Sequence, residues 1–136
     1  MRCVESGDAD IPRKGEMTKL GSEAIAFANV LLDQHRRACL HPKGTASPSR
    51  AACLITYKTL CERANLLFLL RSLGPFLAQI ADWCRSNRWP PINSLAVRQD
   101  SHIPGYGYDG APGCRLEDWE TDVQACIDFR GYPESV

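Results

Sequence analysis

Thr56-Tyr-Lys-Thr-Leu-Cys-Glu-Arg-Ala-Asn-Leu-Leu-Phe-Leu-Leu-Arg-Ser-Leu-Gly-Pro-Phe-Leu-Ala-Gln-Ile-Ala-Asp-Trp-Cys-Arg-Ser-Asn-Arg-Trp-Pro-Pro-Ile-Asn-Ser-Leu-Ala-Val-Arg98 (TYKTLCERANLLFLLRSLGPFLAQIADWCRSNRWPPINSLAVR, 56–98) is the stretch on which the fold turns. Thr56 is placed to cap a short helix from Tyr57 to Ala64, whose Tyr57, Leu60, Cys61 and Ala64 share one face. Asn65 to Leu70 is too apolar to lie exposed, and reads as a buried turn or a strand. Ser72 then stands where a second helix would take its cap, with Pro75 in the first turn, where a missing N–H costs nothing. Phe76, Leu77, Ile80, Ala81 and Cys84 form the inner face of that helix, and Trp89-Pro90-Pro91 stops it. Ile92 to Arg98 alternates like a half-buried strand.

Upstream, Ala24, Phe27, Ala28, Leu31, Leu32 and His35 recur at helical spacing from a Ser22 cap to about Leu40, before His41-Pro42. HPKGTASPSR (41–50) has the composition of a loop, and residues 1–17 read as a loosely ordered arm. Downstream, SHIPGYGYDGAPGC (101–114) holds four Gly, two Pro and two Tyr, the chemistry of tight turns. A last helix is expected from Leu116 to Phe129, with Leu116, Trp119, Val123, Ala125, Cys126, Ile127 and Phe129 as its apolar set. The expected fold is α+β and mostly helical, with a small two- or three-stranded sheet. It forms one compact domain over 18–136, with an acidic C-terminal helix in 115–130.

With 136 residues and 44% hydrophobic content, the chain suits one globular domain and is too apolar for a disordered one. Its longest apolar run, Leu66 to Leu70, falls far short of the roughly 20 residues a membrane helix needs. The polar N-terminus lacks a signal-peptide core, so a soluble, cytoplasmic protein is expected. Seven cysteines occur without a C-x-x-C pair and read as structural thiols. His35-x3-Cys39-x-His41 offers zinc-ligand types, but no second cluster at finger spacing completes a tetrahedron, so no metal or other cofactor is expected. Cys114, with His102 upstream, is the most exposed candidate for a nucleophile; no acid/base constellation accompanies it, and no enzymatic activity is expected.

Sixteen basic and sixteen acidic residues cancel overall, yet they are unevenly placed. From Gln34 to Arg98 run Arg36, Arg37, Lys43, Arg50, Lys58, Arg63, Arg71, Arg85, Arg88 and Arg98, opposed only by Glu62 and Asp82. From Gln99 onward the balance reverses, with eight acids against Arg115 and Arg130. This asymmetry fits a polyanion-binding middle with an acidic appendage, and equally two halves that pack together and neutralise each other.

Short helix, turn, longer helix, strand and glycine-rich loop is also the order of a winged helix-turn-helix, here spanning 54–113. Thr56-Tyr57-x-x-Leu60, then Arg71-Ser72-Leu73-Gly74, a helix, a Pro-led segment ending Leu95-Ala96-Val97 and a Gly/Tyr loop resemble the DNA-binding domain of alkylguanine alkyltransferases and alkyltransferase-like proteins. The resemblance implies that Tyr57 presses on a DNA phosphate and that Arg71 fills the gap left by a flipped nucleotide. Where that family carries Cys-His-Arg after proline, this chain has Pro91-Ile92-Asn93-Ser94, so alkyl transfer is not implied. Residues 90–114 also resemble small proteins of bacteria and their mobile elements.

The first functional expectation is non-enzymatic binding of nucleic acid or a nucleoprotein. The candidate contacts are Tyr57, Lys58, Arg63, Arg71, Arg85, Arg88, Arg98, Tyr106 and Tyr108, with Arg85 and Arg88 one turn apart on the long helix. Tyr106 and Tyr108 would stack bases, or else pin their loop over Trp119. The alternative is a phage or mobile-element inhibitor of a host defence complex, anti-CRISPR-like, acting on a protein partner. Neither reading calls for a membrane.

Overall fold

The computed structural model describes residues 20–39, 50–105 and 114–136. The proposed arm at 1–17, most of the 41–50 loop, and Tyr106 and Tyr108 lie outside them. Five helices are described: α1 (Ser22–Cys39), α2 (Arg50–Cys53), α3 (Tyr57–Arg63), α4 (Gly74–Ser86) and α5 (Trp119–Asp128). Strands β1 (Ile55–Thr56) and β2 (Ala96–Val97) form the small sheet, and 3-10 helices occupy Leu67–Ser72, Ile92–Leu95 and Leu116–Asp118. The chain is thus a mostly helical α+β fold.

Helix α1 is the central post. Its Ala24, Phe27, Ala28, Leu31, Leu32 and His35 are all buried, as their spacing predicts. Burying each large apolar side chain here contributes about 1.5–3 kcal/mol. All four other helices and the Ile92–Leu95 segment belong to the same assembly: α4, α3, α2, α5 and that segment each pack on α1. Phe27 meets Phe76 of α4 with ring centroids 5.7 Å apart. The helix begins one residue earlier than a Ser22 cap implies. Gly21 supplies the carbonyl that accepts from the Ile25 N–H (2.9 Å), and Ser22 is the first helical residue.

Thr56 does cap α3, its Oγ1 accepting from the Thr59 N–H at 3.1 Å. Removing that acceptor in Thr56→Ala should cost about 1 kcal/mol, read as a lower urea midpoint at unchanged slope. A loss below a few tenths would show that the α3 N-terminus is satisfied without it. The Ser72 cap fails: its hydroxyl bonds back to the Leu69 carbonyl (3.4 Å), and Leu73 takes the cap position of α4 with Pro75 just inside. Helices α3 and α4 end alike. Leu66 N–H reaches back to Cys61 O, Trp89 N–H to Cys84 O, both at 2.9 Å, and Asn65 and Arg88 turn the chain at φ of 60° and 62°. Asn tolerates this left-handed conformation; Arg bears the usual Cβ strain.

Two apolar segments depart from expectation. Asn65 to Leu70 is neither a buried turn nor a strand: the 3-10 helix leaves Leu67 46% and Phe68 81% exposed. At three residues per turn, four consecutive apolar side chains cannot all share one side: Leu69 and Leu70 pack against the core, and the preceding Leu67 and Phe68 are left in solvent. The 92–98 segment does not alternate either. Ile92 to Val97 is buried throughout, first as a 3-10 turn and then as β2, because α1, α4 and α5 enclose Ile92–Leu95.

Strand β2 pairs with β1 in parallel, Ile55 opposite Ala96 and Thr56 opposite Val97. Parallel neighbours need a crossover, and α3, the following 3-10 helix and α4 supply it. No hairpin wing follows β2 among the described residues. The chain instead tightens at once, with Arg98 N–H bonding Ile103 O (2.8 Å) and His102 N–H bonding Arg98 O (2.9 Å). On α5, Trp119, Val123, Cys126 and Ile127 are buried, while Ala125 and Leu116 of the expected apolar set are exposed. No described helix is long and apolar enough to cross a membrane.

Candidate functional site

Helix α3 starts beside β1, so its first two side chains, Tyr57 and Lys58, stand next to the end of β2. The 3-10 helix returns Leu70 and Arg71 to the same place, and Arg98 leaves β2 there. Tyr57, Lys58, Leu70, Arg71, Arg98, Gln99 and Asp100 line one open groove of about 990 Å³. Lys58 and Arg71 are exposed and make no ion pair among the described residues, whereas Arg98 holds Asp100 at 3.1 Å. The groove therefore presents three cations against one carboxylate, itself engaged. Tyr57 is partly buried, and its hydroxyl accepts the Gly105 N–H at 2.7 Å, tying the start of the Gly/Tyr loop to α3. A Cβ at Gly105 would come within 3.5 Å of that hydroxyl.

The other central cations are used differently. Arg36, Arg37 and Arg63 converge on Asp33, at 2.7, 3.0 and 2.6 Å, and Arg63 also donates to Gln34 (3.1 Å). Arg50 pairs with Glu120 of α5 at 3.4 Å, so a helix of the acidic segment neutralises part of the basic middle. Arg85 pairs with Asp82 at 3.2 Å. Arg88 does not lie one turn along the helix from Arg85, since it sits beyond the Asn87 cap in the left-handed turn. With Arg85 it lines a separate, smaller cavity beside Trp89, Cys114 and Asp122. So four of the expected contact residues, Tyr57, Lys58, Arg71 and Arg98, are brought together. Arg63, Arg85 and Arg88 are elsewhere, and Tyr106 and Tyr108 are among the residues not described. No known relative enters the comparison: no family model, curated protein or solved structure matches this chain. Of the short motifs read in the sequence, Tyr57 and Arg71 are the residues that meet in the groove.

A second polar cluster centres on the buried His35. His35, 2% exposed, places Nε2 2.7 Å from the Cys126 carbonyl. A carbonyl only accepts, so Nε2 carries the proton and donates. Burial, aided by nearby Arg130, lowers the His35 pKa and keeps the ring neutral. Tyr132 packs edge-on against His35 and donates to the Pro90 carbonyl at 2.6 Å. Cys126 Sγ lies 3.2 Å from the Tyr132 hydroxyl and donates to the Pro91 carbonyl at the same separation. Burial pushes the Cys84 thiol up to about 12 and the Cys126 thiol up to about 11. Such thiols stay protonated and are poor nucleophiles at neutral pH. Cys114 is the most exposed of the described cysteines, as expected, but at 8% exposure it is itself buried. His35 spends Nε2 on structure, while the Cys39 side chain and His41 of the zinc reading lie outside the described residues.

Exposed Phe68 was missed from the sequence. Its signal was present in LLFLL (66–70), five apolar residues between Asn65 and Arg71, too short for an amphipathic helix and unbroken by the polar residue that an alternating strand requires.

Proposed function

We propose that the protein binds nucleic acid without transforming it, holding the phosphate backbone in the groove of Tyr57, Lys58, Arg71 and Arg98. The observation that carries this reading is the convergence of three cations from three separate elements on one open groove. Exposed cations suit such a role. They keep their hydration until an anion arrives, and the polyanion gives up condensed counterions on binding. Arg71 and Arg98 add planar forks that match phosphate oxygens in pairs. Arg98 is loosely held by an exposed carboxylate, and an exposed pair of this kind is worth under about 1 kcal/mol, so a phosphate can displace Asp100 at small cost. Tyr57 contributes position: its bond to Gly105 sets the wall against which a strand would lie.

The test is a salt titration of the full chain against a fluorescently labelled duplex and a labelled single strand, followed by anisotropy. Two to three phosphate contacts should give a slope of log K against log salt of about −1.8 to −2.7 on the duplex and about −1.4 to −2.1 on the single strand. A slope near zero, or no binding at the lowest salt with the protein well into the micromolar range, overturns the reading.

A further inference from the structure

We infer that the groove takes a single-stranded segment, with an unpaired base stacked on Phe68 while its neighbouring phosphates lie along Lys58, Arg71 and Arg98. This deepens the proposed function and rests on it.

The argument begins with an oddity of burial. Phe68 is 81% exposed, the most open of the large apolar side chains described, on a chain that buries Phe27 completely. Leaving a phenyl ring in water forfeits the hydrophobic gain that burial would bring, and the surrounding sequence offers no compensation. Its position is not accidental in three dimensions. The 3-10 helix Leu67–Ser72 has three residues per turn, so side chains three apart eclipse one another. Phe68 therefore stands in the same row as Arg71, and Leu67 in the same row as Leu70. Arg71 and Leu70 both line the cationic groove. Each row thus runs from an exposed apolar residue to a groove residue.

An aromatic ring one turn from a guanidinium is the arrangement that a flexible polyanion with flat apolar bases can use at both ends. The guanidinium meets phosphate and the ring meets the base face. A duplex hides those faces in its own stack, and reaching them would require unstacking. A single strand offers them freely. The pocket is also open rather than slot-like, lined by residues from α3, the 3-10 helix and the segment after β2, so a strand can pass along it. An apolar protein partner could cover Phe68 and Leu67, but it would gain nothing from the three adjacent cations unless it were also acidic. The charge beside the ring favours the nucleic acid.

The experiment compares three labelled probes of the same length, roughly 12 nucleotides, within the usual site size for single-strand binders. They are oligothymidylate, the same strand with abasic sites, and its duplex. The wild-type chain should bind oligothymidylate most tightly. Phe68→Ala should weaken that binding about ten-fold, leave the abasic strand unchanged and keep the salt slope; Phe68→Trp should restore it. Because Phe68 is exposed, the variant should keep its circular dichroism and unfolding midpoint. Equal binding of oligothymidylate by wild type and Phe68→Ala, with the salt slope intact, overturns the stacking inference and leaves phosphate binding standing. Preference for the duplex overturns it equally. Failure of every probe to bind overturns both this inference and the function beneath it. Loss of all binding in Phe68→Ala, abasic strand included, assigns the ring to holding the groove and also overturns stacking.

Discussion

Trp119→Ala is expected to cost about 3–5 kcal/mol, which for a domain of ordinary stability removes a third or more of the total. Trp119 opens α5 and is only 6% exposed. Its Nε1–H donates to the Ser94 carbonyl at 2.8 Å, inside the 3-10 turn that α1, α4 and α5 enclose. Truncation to alanine therefore acts twice. It leaves a cavity at the junction of α5 with the segment feeding β2, and it strands a buried carbonyl. Trp119→Phe separates the two effects, since it fills most of the volume but cannot donate; a cost of about 1–3 kcal/mol is expected from the unsatisfied acceptor. Urea unfolding followed by the fluorescence of Trp83 and Trp89 measures both variants. Those two rings stack edge-on at 5.0 Å and report on the core independently of position 119. A loss under about 1 kcal/mol for Trp119→Ala would mean that α5 is a peripheral element.

That role for Trp119 bears on how far the sequence could be read. The helices were legible because their apolar periods are strong: α1 follows its i, i+3, i+4 pattern through His35, and Thr56 announces α3 by the side chain that caps it. The Trp119 indole is buried with its N–H on the Ser94 carbonyl, a contact across 25 residues that no local pattern encodes, while Tyr106 and Tyr108, expected to cover it, lie outside the described residues. The 92–98 segment misled for a related reason. Period two in sequence implies one wet face, but three helices close over this segment, and burial on all sides overrides the alternation.

Charge was the least legible quantity. A window beginning at Gln34 counts Arg36, Arg37 and Arg63 as surplus and omits Asp33, the neighbour that receives all three. Two of those pairs are local on α1 and could be seen at i, i+3 and i, i+4 spacing. The third depends on α3 packing beside α1, which only the fold supplies. The groove is legible in part: Tyr57, Lys58 and Arg71 were marked by motif and charge. What brings Arg98 to them is the parallel pairing of Thr56 with Val97, which sets the residues following each strand side by side.

Lys58→Glu combined with Arg71→Glu is the decisive charge variant, and its expected result is a loss of about a hundred-fold or more in nucleic-acid affinity at roughly 0.1 M salt. Each phosphate contact is worth close to one power of the salt concentration, so removing two costs nearly two decades, and placing two acids beside Asp100 adds repulsion. The salt slope should fall to about −1 or flatter. Both side chains are exposed and make no ion pair among the described residues, so reversing them should leave the unfolding midpoint within about 0.5 kcal/mol of wild type. Arg85→Ala and Arg88→Ala form the matched control, because those residues line the other cavity and Arg85 is already paired with Asp82. Their affinity should stay within about two-fold of wild type. If Arg85→Ala weakened binding as strongly as the reversal at 58 and 71, the phosphate path would have to run across α4, and the groove beside Tyr57 would lose its claim to be the site.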